Sequence, residues 1–162
     1  MNNFKCVASN LTSLIGSPWM VKGNFLASYN NLENLEGGPV VVGGEYSVSR
    51  SIKSLFGAPD KVFGIFEFGA NEIENFKGFP KEASIILSEG LSVKEIDLED
   101  LPKQANRLIL ILNEVTEQME TDFQGFIEGS TILIEKNYEQ IMLNLRFKKN
   151  LLKKQTIQRK KI

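Results

Sequence analysis

Apolar and polar residues alternate in short segments that recur at a regular interval along the first part of the chain. Five such segments are present: Phe4 with Cys6, Phe25 with Ala27, Tyr46 with Val48, Phe66 with Phe68, and Ile85 with Leu87. Alternation of this kind is the pattern of a β-strand that has one buried face. Because a strand of this length cannot bury its face alone, the recurrence predicts strands stacked one per repeat into a continuous parallel sheet.

The prolines mark the repeat. They are Pro18, Pro39, Pro59, Pro80 and Pro102, at successive intervals of 21, 20, 21 and 22 residues. A glycine stands two residues before each of the first four prolines, and a leucine or phenylalanine stands four residues before: Gly16, Gly37, Gly57 and Gly78 with Leu14, Leu35, Leu55 and Phe76. Self-similarity at a fixed period of this length is the signature of a solenoid.

Each unit has the form L-x-x-L-x-G-x-P-x-x-V-x-G-x-F-x-x-S, with Asn30 and Asn71 two residues before the next aliphatic position. This unit resembles a leucine-rich repeat, above all the short bacterial kind, and is similar to the S-L-x-G-x-P-x-x-V-G-G repeats of proteins from large tailed bacteriophages. Residues 35–44 and 54–59 carry the likeness, which covers roughly residues 1–90. The resemblance implies an α/β or mainly β solenoid with a parallel sheet, built from a leading strand and about four units.

Two departures from the leucine-rich pattern affect the expected strand register. One extra residue lies between the valine and the aromatic position, and a glycine such as Gly23, Gly44 or Gly64 occupies that stretch. In the third unit, Arg50 or Ser51 fills the asparagine place, and the period drops to 20 residues. An asparagine there would bond backbone groups of the next turn, so we expect an irregular corner in the third unit.

The repeat weakens beyond the fifth predicted strand. Although Leu98 keeps its ladder position, Glu95 and Asp100 stand where an aliphatic residue and a glycine belong. We therefore expect the array to end near residue 90. A C-terminal α-helical capping region over residues 91–145 is expected to follow, because a stack must cover its last hydrophobic face.

Helical spacing returns in the capping region. A helix over residues 102–121 is predicted from the apolar positions Leu108, Ile109, Leu112, Val115 and Met119. The inner run from 108 to 112 fits a strand as well, so that alternative stays open. Residues 131–134 predict a further strand, because β-branched side chains are frequent there. A second helix is expected from about residue 135, with an apolar side made of Tyr138, Ile141, Met142 and Leu145.

Charge is distributed unevenly along the chain. From Gln140 onward there is no carboxylate, and there are eight basic residues: Arg146, Lys148, Lys149, Lys153, Lys154, Arg159, Lys160 and Lys161. The formal net charge of the whole chain is −1, so the preceding 139 residues carry −9, from 11 basic and 20 acidic residues. We expect the tail, residues 146–162, to be either a solvated helix end or a binding site for nucleic-acid phosphates, an acidic protein or the acidic face of another copy.

Candidate catalytic chemistry is scarce. The chain has no histidine and one cysteine, which excludes imidazole-dependent triads and a zinc site made of cysteine and histidine. Cys6 stands at an inward strand position, and the acidic residues between 95 and 100 are explained by a solvated loop. No glycine pair is followed by the lysine-serine of a nucleotide-binding loop. We therefore predict a non-enzymatic protein with no catalytic residue, no bound metal and no cofactor.

Binding is the function that these exclusions leave. Repeat arrays present a broad surface whose exposed positions vary freely while the core ladder stays fixed. Trp19 has no aromatic counterpart in later units, so it is either an exposed contact for a partner or a cover for the first coil. The expected partner surface comprises Trp19, Lys22, Glu45, Arg50, Lys61 and Glu67.

The resemblance to phage repeat proteins implies a setting for this binding. It implies a phage-encoded modulator or inhibitor of a host protein, located in the host cytoplasm. The alternative suggested by charge is a nucleic-acid-binding or nucleoid-associated protein that acts through its basic tail. A third hypothesis is a homo-oligomer in which the tail of one copy binds the acidic array of another. No apolar run approaches the roughly 18 residues that cross a bilayer, and no secretory leader is recognised, so membrane insertion and secretion are not predicted.

Overall fold

The computed structural model describes residues 1–69, 72–93, 95–135 and 137–159, with side chains up to residue 157. These residues form ten strands and two helices. Their bounds are β1 (Phe4–Lys5), β2 (Met20–Val21), β3 (Phe25–Leu26), β4 (Val41–Val42), β5 (Tyr46–Ser49), β6 (Lys61–Gly69), β7 (Glu82–Leu91), β8 (Gln104–Leu112), α1 (Glu117–Asp122), β9 (Ile127–Glu128), β10 (Thr131–Glu135) and α2 (Tyr138–Arg159). The protein is therefore mainly β and has a long helix near its C-terminus.

Successive coils of the chain pair through parallel strands. The main path through the sheet is β1-β3-β5-β6-β7-β8-β10-β9, and β2 and β4 form a second parallel ladder that joins the first half of β6. Pairing is parallel from β1 to β8, whereas β10 runs antiparallel to both β8 and β9. The chain winds as a solenoid of about five turns, which confirms the predicted repeat architecture with a parallel sheet.

A tight turn explains the glycine of each repeat. In the second coil, the Gly38 N–H donates to the Leu35 carbonyl at 3.1 Å, and Gly37 between them has a φ of +81°. A four-residue turn with a positive φ at its third position is of type II, and glycine adopts that φ without strain. The equivalent glycines Gly16, Gly57 and Gly78 also have positive φ. A serine or asparagine before each turn accepts a backbone N–H two residues further on: Ser13, Asn34, Ser54 and Asn75.

Stacked aromatic rings run through the core of the first coils. The rings of Phe4, Phe25, Tyr46 and Phe66 follow one another at centroid distances of 5.0, 5.0 and 5.4 Å, with interplanar angles of 6°, 8° and 13°. Their Cα atoms are partners in the parallel pairing, so the predicted alignment of these strands is confirmed. Each such pair adds about 1 kcal/mol beyond the burial of its apolar area.

Asn30 closes the corner after β3. Its Oδ1 accepts the N–H groups of Ser9 and Leu11 at 2.9 and 3.0 Å, and its Nδ2 donates to the Cys6 carbonyl at 2.7 Å. These bonds reach the preceding coil, whereas the sequence pattern predicts bonds to the next one. The side chain thereby satisfies backbone groups that the corner removes from strand pairing.

The corresponding corner of the third unit lacks the asparagine, and two successive residues there have left-handed backbone. Arg50 and Ser51 have positive φ values of +66° and +62°, and left-handed backbone costs a non-glycine residue about 1–2 kcal/mol. The Ser51 hydroxyl lies 3.0 Å from the Asn30 carbonyl and 3.1 Å from that of Leu32, so it partly replaces the asparagine. Asn71, the asparagine of the fourth unit, lies outside the described residues.

Strand β7 is one residue out of the predicted register. Phe66 of β6 pairs with Ile86, and Glu67 pairs with Leu87. Ile86 is consequently fully buried, while Leu87 lies on the outer face of the sheet beside Glu67. The prediction that Ile85 and Leu87 point inward is therefore wrong.

A bulge in β6 causes this shift. Between paired positions, β6 has three residue steps from Val62 to Ile65, whereas β7 has two from Ala83 to Ile85. The extra residue of β6 falls in the stretch that contains Gly64, and β7 has no glycine in the corresponding stretch. Because side chains alternate along a strand, the loss of one residue turns every later side chain to the opposite face.

The predicted helix over residues 102–121 is wrong for most of its length. Residues 104–112 form β8, which pairs in parallel with β7, and α1 is the only helical part of the predicted range. Every second side chain of β8 enters the core, and the buried ones are Leu108, Leu110 and Leu112. Leu108 and Leu112 fit both a helical spacing and the alternation of a strand. The segment forms a strand because it pairs with the edge of β7.

Parallel pairing also continues past residue 90, where the sequence pattern predicts the end of the array. Leu98 is buried in the last turn. The repeat pattern expects an aliphatic residue at position 95, and Ile96 is the residue that is buried there instead. This coil has gained one residue, which explains the interval of 22 between Pro80 and Pro102. The last parallel strand of the stack is therefore β8, and the elements that cover the stack follow it.

The end of the stack is covered by β10 and α2, and the strand predicted at 131–134 and the helix expected from about 135 are both confirmed. Helix α2 packs against β8 and β10. Its Tyr138 and Met142 side chains are buried, and the Tyr138 hydroxyl donates to the Pro102 carbonyl at 3.1 Å. Among the described residues, no helix is long and apolar enough to cross a membrane.

The register shift of β7 places a polar side chain in the core. Ser88 is fully buried, and its hydroxyl has no hydrogen-bond partner among the described residues. We expect Ser88→Ala to raise the free energy of unfolding by about 1 kcal/mol, because the desolvation cost of the hydroxyl disappears. Urea denaturation measures this change. Ser84→Ala is the control on the same strand, since the Ser84 hydroxyl donates to the Phe63 carbonyl at 2.6 Å; it should lower stability, and a loss in both variants would contradict the prediction.

Candidate functional site

Large apolar side chains are exposed on the outer face of the first coils. Trp19, Met20 and Phe63 are 64%, 41% and 57% exposed. Pairing places Met20 beside Val41, and the Val40 N–H donates to the Trp19 carbonyl at 2.9 Å. We call the residues Trp19, Met20, Val41 and Phe63 the aromatic patch. Exposed apolar groups clustered in this way are typical of protein-binding surfaces.

Strand alternation produces this patch. Val21, Val42 and Val62 enter the core and are essentially unexposed, so the residues on either side of each of them face outward. Gly43 stands between Lys22 and Phe63 in the strand order, and a Cβ there would lie 2.8 Å from the Lys22 carbonyl carbon. The outer face of the sheet therefore has no side chain at position 43, which leaves the Phe63 ring uncovered on that side.

Basic side chains border the aromatic patch. The Lys61 Nζ lies 4.9 Å from the centre of the Phe63 ring and also forms an ion pair with Glu82. Lys22 is exposed on the first coil, next to Val21 in the strand that contains Met20. The structure thus brings together three of the residues predicted for the partner surface, namely Trp19, Lys22 and Lys61. Sequence reasoning missed Met20 and Phe63, although an aromatic residue at position 63 breaks the repeat just as Trp19 does.

Glu45 and Glu67 form a separate acidic cluster on the main path of the sheet, where β5 pairs with β6. The Ser47 hydroxyl donates to Glu67 Oε2 at 2.6 Å, and it lies 2.9 Å from the hydroxyl of Ser28. Partial burial raises the pKa of the Glu45 carboxyl, and the negative charge of Glu67 raises it further. Because Ser47 holds Glu67 in place, this cluster presents a fixed negative charge to the solvent.

Arg50 lies at the irregular corner of the third unit. Its guanidinium stands 4.9 Å above the ring of Tyr29, which is 55% exposed and also has a positive φ, of +62°. A cation over an aromatic face gains about 0.5–1 kcal/mol at an exposed site. This contact orients Arg50, but it belongs to a corner and not to the aromatic patch.

Two of the basic tail residues are bound within the protein. Arg146 donates to the carbonyls of Leu98 and Leu101, at 3.0 Å from Nε and 3.1 Å from a terminal nitrogen. Lys149 pairs with Asp122 at 3.0 Å, and both side chains are largely buried. These two cations hold α2 to the last turn and to α1, so they are not free ligands for a partner.

The remaining tail residues divide into two groups. Lys148, Lys153 and Lys154 are exposed on α2. The side chain of Arg159 and the residues Lys160 and Lys161 lie outside the described part of the chain. The basic surface that the structure shows is therefore narrower than the eight residues counted in the sequence.

Three observations on the described residues concern metal binding, thiol chemistry and cavities. They contain no group of three or more histidine, cysteine, aspartate and glutamate residues that could hold a metal ion. Cys6 is partly buried, and burial raises the pKa of its thiol, which lowers its reactivity as a nucleophile. A cavity of 860 Å³ lies beyond the C-terminal ends of β5, β6, β7 and β8 and is lined by Lys53, Glu72, Ile73, Glu74, Ser92, Val93, Asn113, Glu114 and Thr116.

Comparison with protein-family models, with curated proteins and with solved structures gives no match to this chain.

Proposed function

We propose that this protein is a non-enzymatic binding module that recognises another protein through the aromatic patch. The observation that carries this proposal is the exposure of Trp19 and Met20 on the first coil and of Phe63 on the third, with Val41 on the coil between them. The repeat does not require these side chains. Val41 and Lys61 stand in the ladder position of Met20. The second unit has a valine in the place of Trp19, and the first and second units have a lysine and a glycine in the place of Phe63. Exposed apolar area is unfavourable in water, and binding a partner would remove this area from water.

The setting of this function is proposed from the resemblance of the repeats. A leucine-rich-repeat-like array of the phage type implies a phage-encoded modulator or inhibitor of a host protein, acting in the host cytoplasm. The sheet surface supports a protein partner over nucleic acid, because Lys61 beside the aromatic patch is already paired with Glu82 and the acidic cluster of Glu45 and Glu67 lies on the same sheet. The basic tail offers less support for nucleic-acid binding, since Arg146 and Lys149 already have partners in the protein.

The proposal predicts a large loss of binding on truncation of one patch residue. A partner is captured from bacterial lysate with the intact protein, purified, and titrated against the intact protein and Trp19→Ala. We expect the dissociation constant to rise by about 30-fold, as for an interface residue whose removal costs about 2 kcal/mol. Circular dichroism should show an unchanged fold, because Trp19 is mostly exposed.

A matched pair of phenylalanines tests the location of the surface. Phe63 and Phe56 are 57% and 59% exposed, but Phe63 belongs to the aromatic patch, whereas Phe56 lies at the tip of the third turn. Phe63→Ala should weaken binding by about tenfold or more, and Phe56→Ala should leave it unchanged. Equal effects of the two substitutions, or full binding by Trp19→Ala, would show that the partner uses another surface.

A further inference from the structure

A row of apolar side chains crosses the outer face of the last strands. Pairing places Leu87 of β7 beside Ile109 of β8, and Ile109 beside Leu133 of β10. Leu133 is 42% exposed, and Leu87 and Ile109 are partly exposed. The register shift of β7 is what turns Leu87 outward. We call these three residues the aliphatic row. It lies beyond the aromatic patch, on the opposite end of the solenoid.

The surroundings of the aliphatic row are asymmetric. At its β10 end, a cavity of 600 Å³ is lined by Phe126, Ile127 and Leu133, together with Gly125, Glu128 and Thr131. At its β6 end, the next residue in register is Glu67, which forms the acidic cluster with Glu45. The face therefore offers an apolar depression at one end and negative charge at the other.

Helix α2 has a second apolar stripe in addition to the one that is buried. Leu143, Phe147 and Leu151 are 60%, 65% and 44% exposed. Residues spaced four apart lie on one side of a helix, and this side is opposite the one that buries Tyr138 and Met142. Among the described residues nothing covers this stripe, although the protein has a second unpartnered apolar face in the aliphatic row.

The exposed stripe of α2 is also basic. Lys154 follows Leu151 on the same side of the helix, and Lys148 stands next to Phe147 in the sequence. Neither lysine is paired with a carboxylate in the described residues, in contrast to Lys149. The helix thus presents an apolar centre with positive charge beside it, which complements an apolar row that ends at a negative cluster.

We propose that the aliphatic row binds helix α2 of a second copy of this chain. Leu143, Phe147 and Leu151 pack against Leu133, Ile109 and Leu87 in that order, so Leu143 faces the cavity beside Leu133 and Phe147 lies at the centre of the contact. The exposed lysines of the helix lie toward the acidic cluster of Glu45 and Glu67. Every copy has both the exposed stripe of α2 and the aliphatic row. The helix of each copy can therefore bind the row of the other, which gives a closed dimer. This inference concerns a different surface from the aromatic patch and holds whether or not the proposed function does.

Sedimentation equilibrium over a range of protein concentrations tests the self-association. We expect the intact protein to associate, and salt to weaken the association because exposed charge pairs are screened within about 10 Å at 0.1 M ionic strength. Phe147→Asp and Leu133→Asp should each raise the dissociation constant by about tenfold or more, because each places a charge in the apolar contact. A monomer at every concentration at low salt would overturn the proposal.

The control is Phe56→Asp, which introduces the same charge at a phenylalanine of similar exposure, 59% against 65% for Phe147, outside both surfaces. It should associate as the intact protein does. Circular dichroism of all three variants checks that the fold is retained. If Phe56→Asp disrupts association as strongly as Phe147→Asp, net charge and not the proposed contact is responsible, and the proposal fails.

Mixing the two contact variants distinguishes a helix-to-sheet contact from a helix-to-helix contact. The Phe147→Asp copy retains an intact aliphatic row, and the Leu133→Asp copy retains an intact helix, so one correct contact can form between them. We expect the mixture to form a heterodimer at protein concentrations at which each variant alone is monomeric. If Leu133→Asp associates normally by itself, α2 binds another α2 and the proposed contact is wrong.

Discussion

Replacing Gly57 with alanine is expected to lower the free energy of unfolding by about 3 kcal/mol. Two costs combine at this turn. Gly57 has a φ of +85°, which strains any residue that carries a Cβ, and the added Cβ would lie 2.5 Å from the Glu36 Cα of the preceding coil. A backbone atom cannot rotate away as a side chain does, so the two coils must separate. Urea denaturation, with near-neutral pH and a fixed protein concentration, measures the loss.

Gly16→Ala is the matched control for this prediction. Gly16 occupies the same place in the first turn and has a φ of +94°, but a Cβ there would meet no atom within 4 Å. It should therefore show only the cost of the left-handed backbone, about 1–2 kcal/mol. Equal losses in the two variants would mean that the close approach of the coils contributes nothing, and that the turn glycines are required for their φ alone.

Replacing Lys149 with methionine is expected to lower the free energy of unfolding by about 3 kcal/mol, because it leaves the Asp122 carboxylate buried without its partner. The side chain of Asp122 is 7% exposed and that of Lys149 is 15% exposed, so water can replace the lost cation only poorly. The pair joins α1 to α2, and its loss should loosen the elements that cover the last coil. Thermal and urea denaturation both report this change.

The adjacent residue supplies a control with the same change of charge. Lys148 is exposed and has no ion pair among the described residues, so Lys148→Met should change stability by no more than about 0.5 kcal/mol. Adding Asp122→Leu to Lys149→Met should restore much of the loss, since the double variant buries no charge. A small effect of Lys149→Met, or an equal effect of Lys148→Met, would show that the pair is solvated and contributes little.

These two lysines also affect how the tail is to be studied. A truncation at Arg146 removes the bonds from Arg146 to the last turn and the pair between Lys149 and Asp122. Any loss of binding in such a truncation would then include a loss of folded structure. Substituting Lys148, Lys153 and Lys154 removes exposed charge and leaves those contacts intact.

Much of the fold could be predicted from the sequence because the repeat is a local pattern. The interval between prolines, the glycine before each of them and the alternation at Phe25, Tyr46 and Phe66 depend on contacts that recur identically in each coil. Positions that depend on one coil alone were not predictable in the same way. The register of β7 is set by a bulge in β6, and the strand β8 is decided by pairing with β7.

The aromatic patch could be predicted only in part, because the sequence reveals only those of its residues that depart from the repeat. Trp19 was found because it departs from the repeat, and Phe63 departs from it in the same manner. Met20 could not be found this way, since a medium-sized apolar residue fits the pattern of valine at position 41. Arg146 and Lys149 contact Leu98 and Asp122, which lie 48 and 27 residues earlier in the chain. The number of charged residues in a segment does not indicate which of them pair over such a distance.

The missing glycine of β7 divides the stack at one seam. Before it, coils repeat in phase and their aromatic rings stack from Phe4 to Phe66; after it, Ile86 and Leu108 fill the same core positions with aliphatic side chains. Any lengthening of the protein by duplication of a repeat, in evolution or by engineering, is therefore constrained to the N-terminal side of the seam. A duplicated early coil inserted after β7 would have to drop its bulge residue, or it would turn its phenylalanine to the solvent and its polar residues to the core.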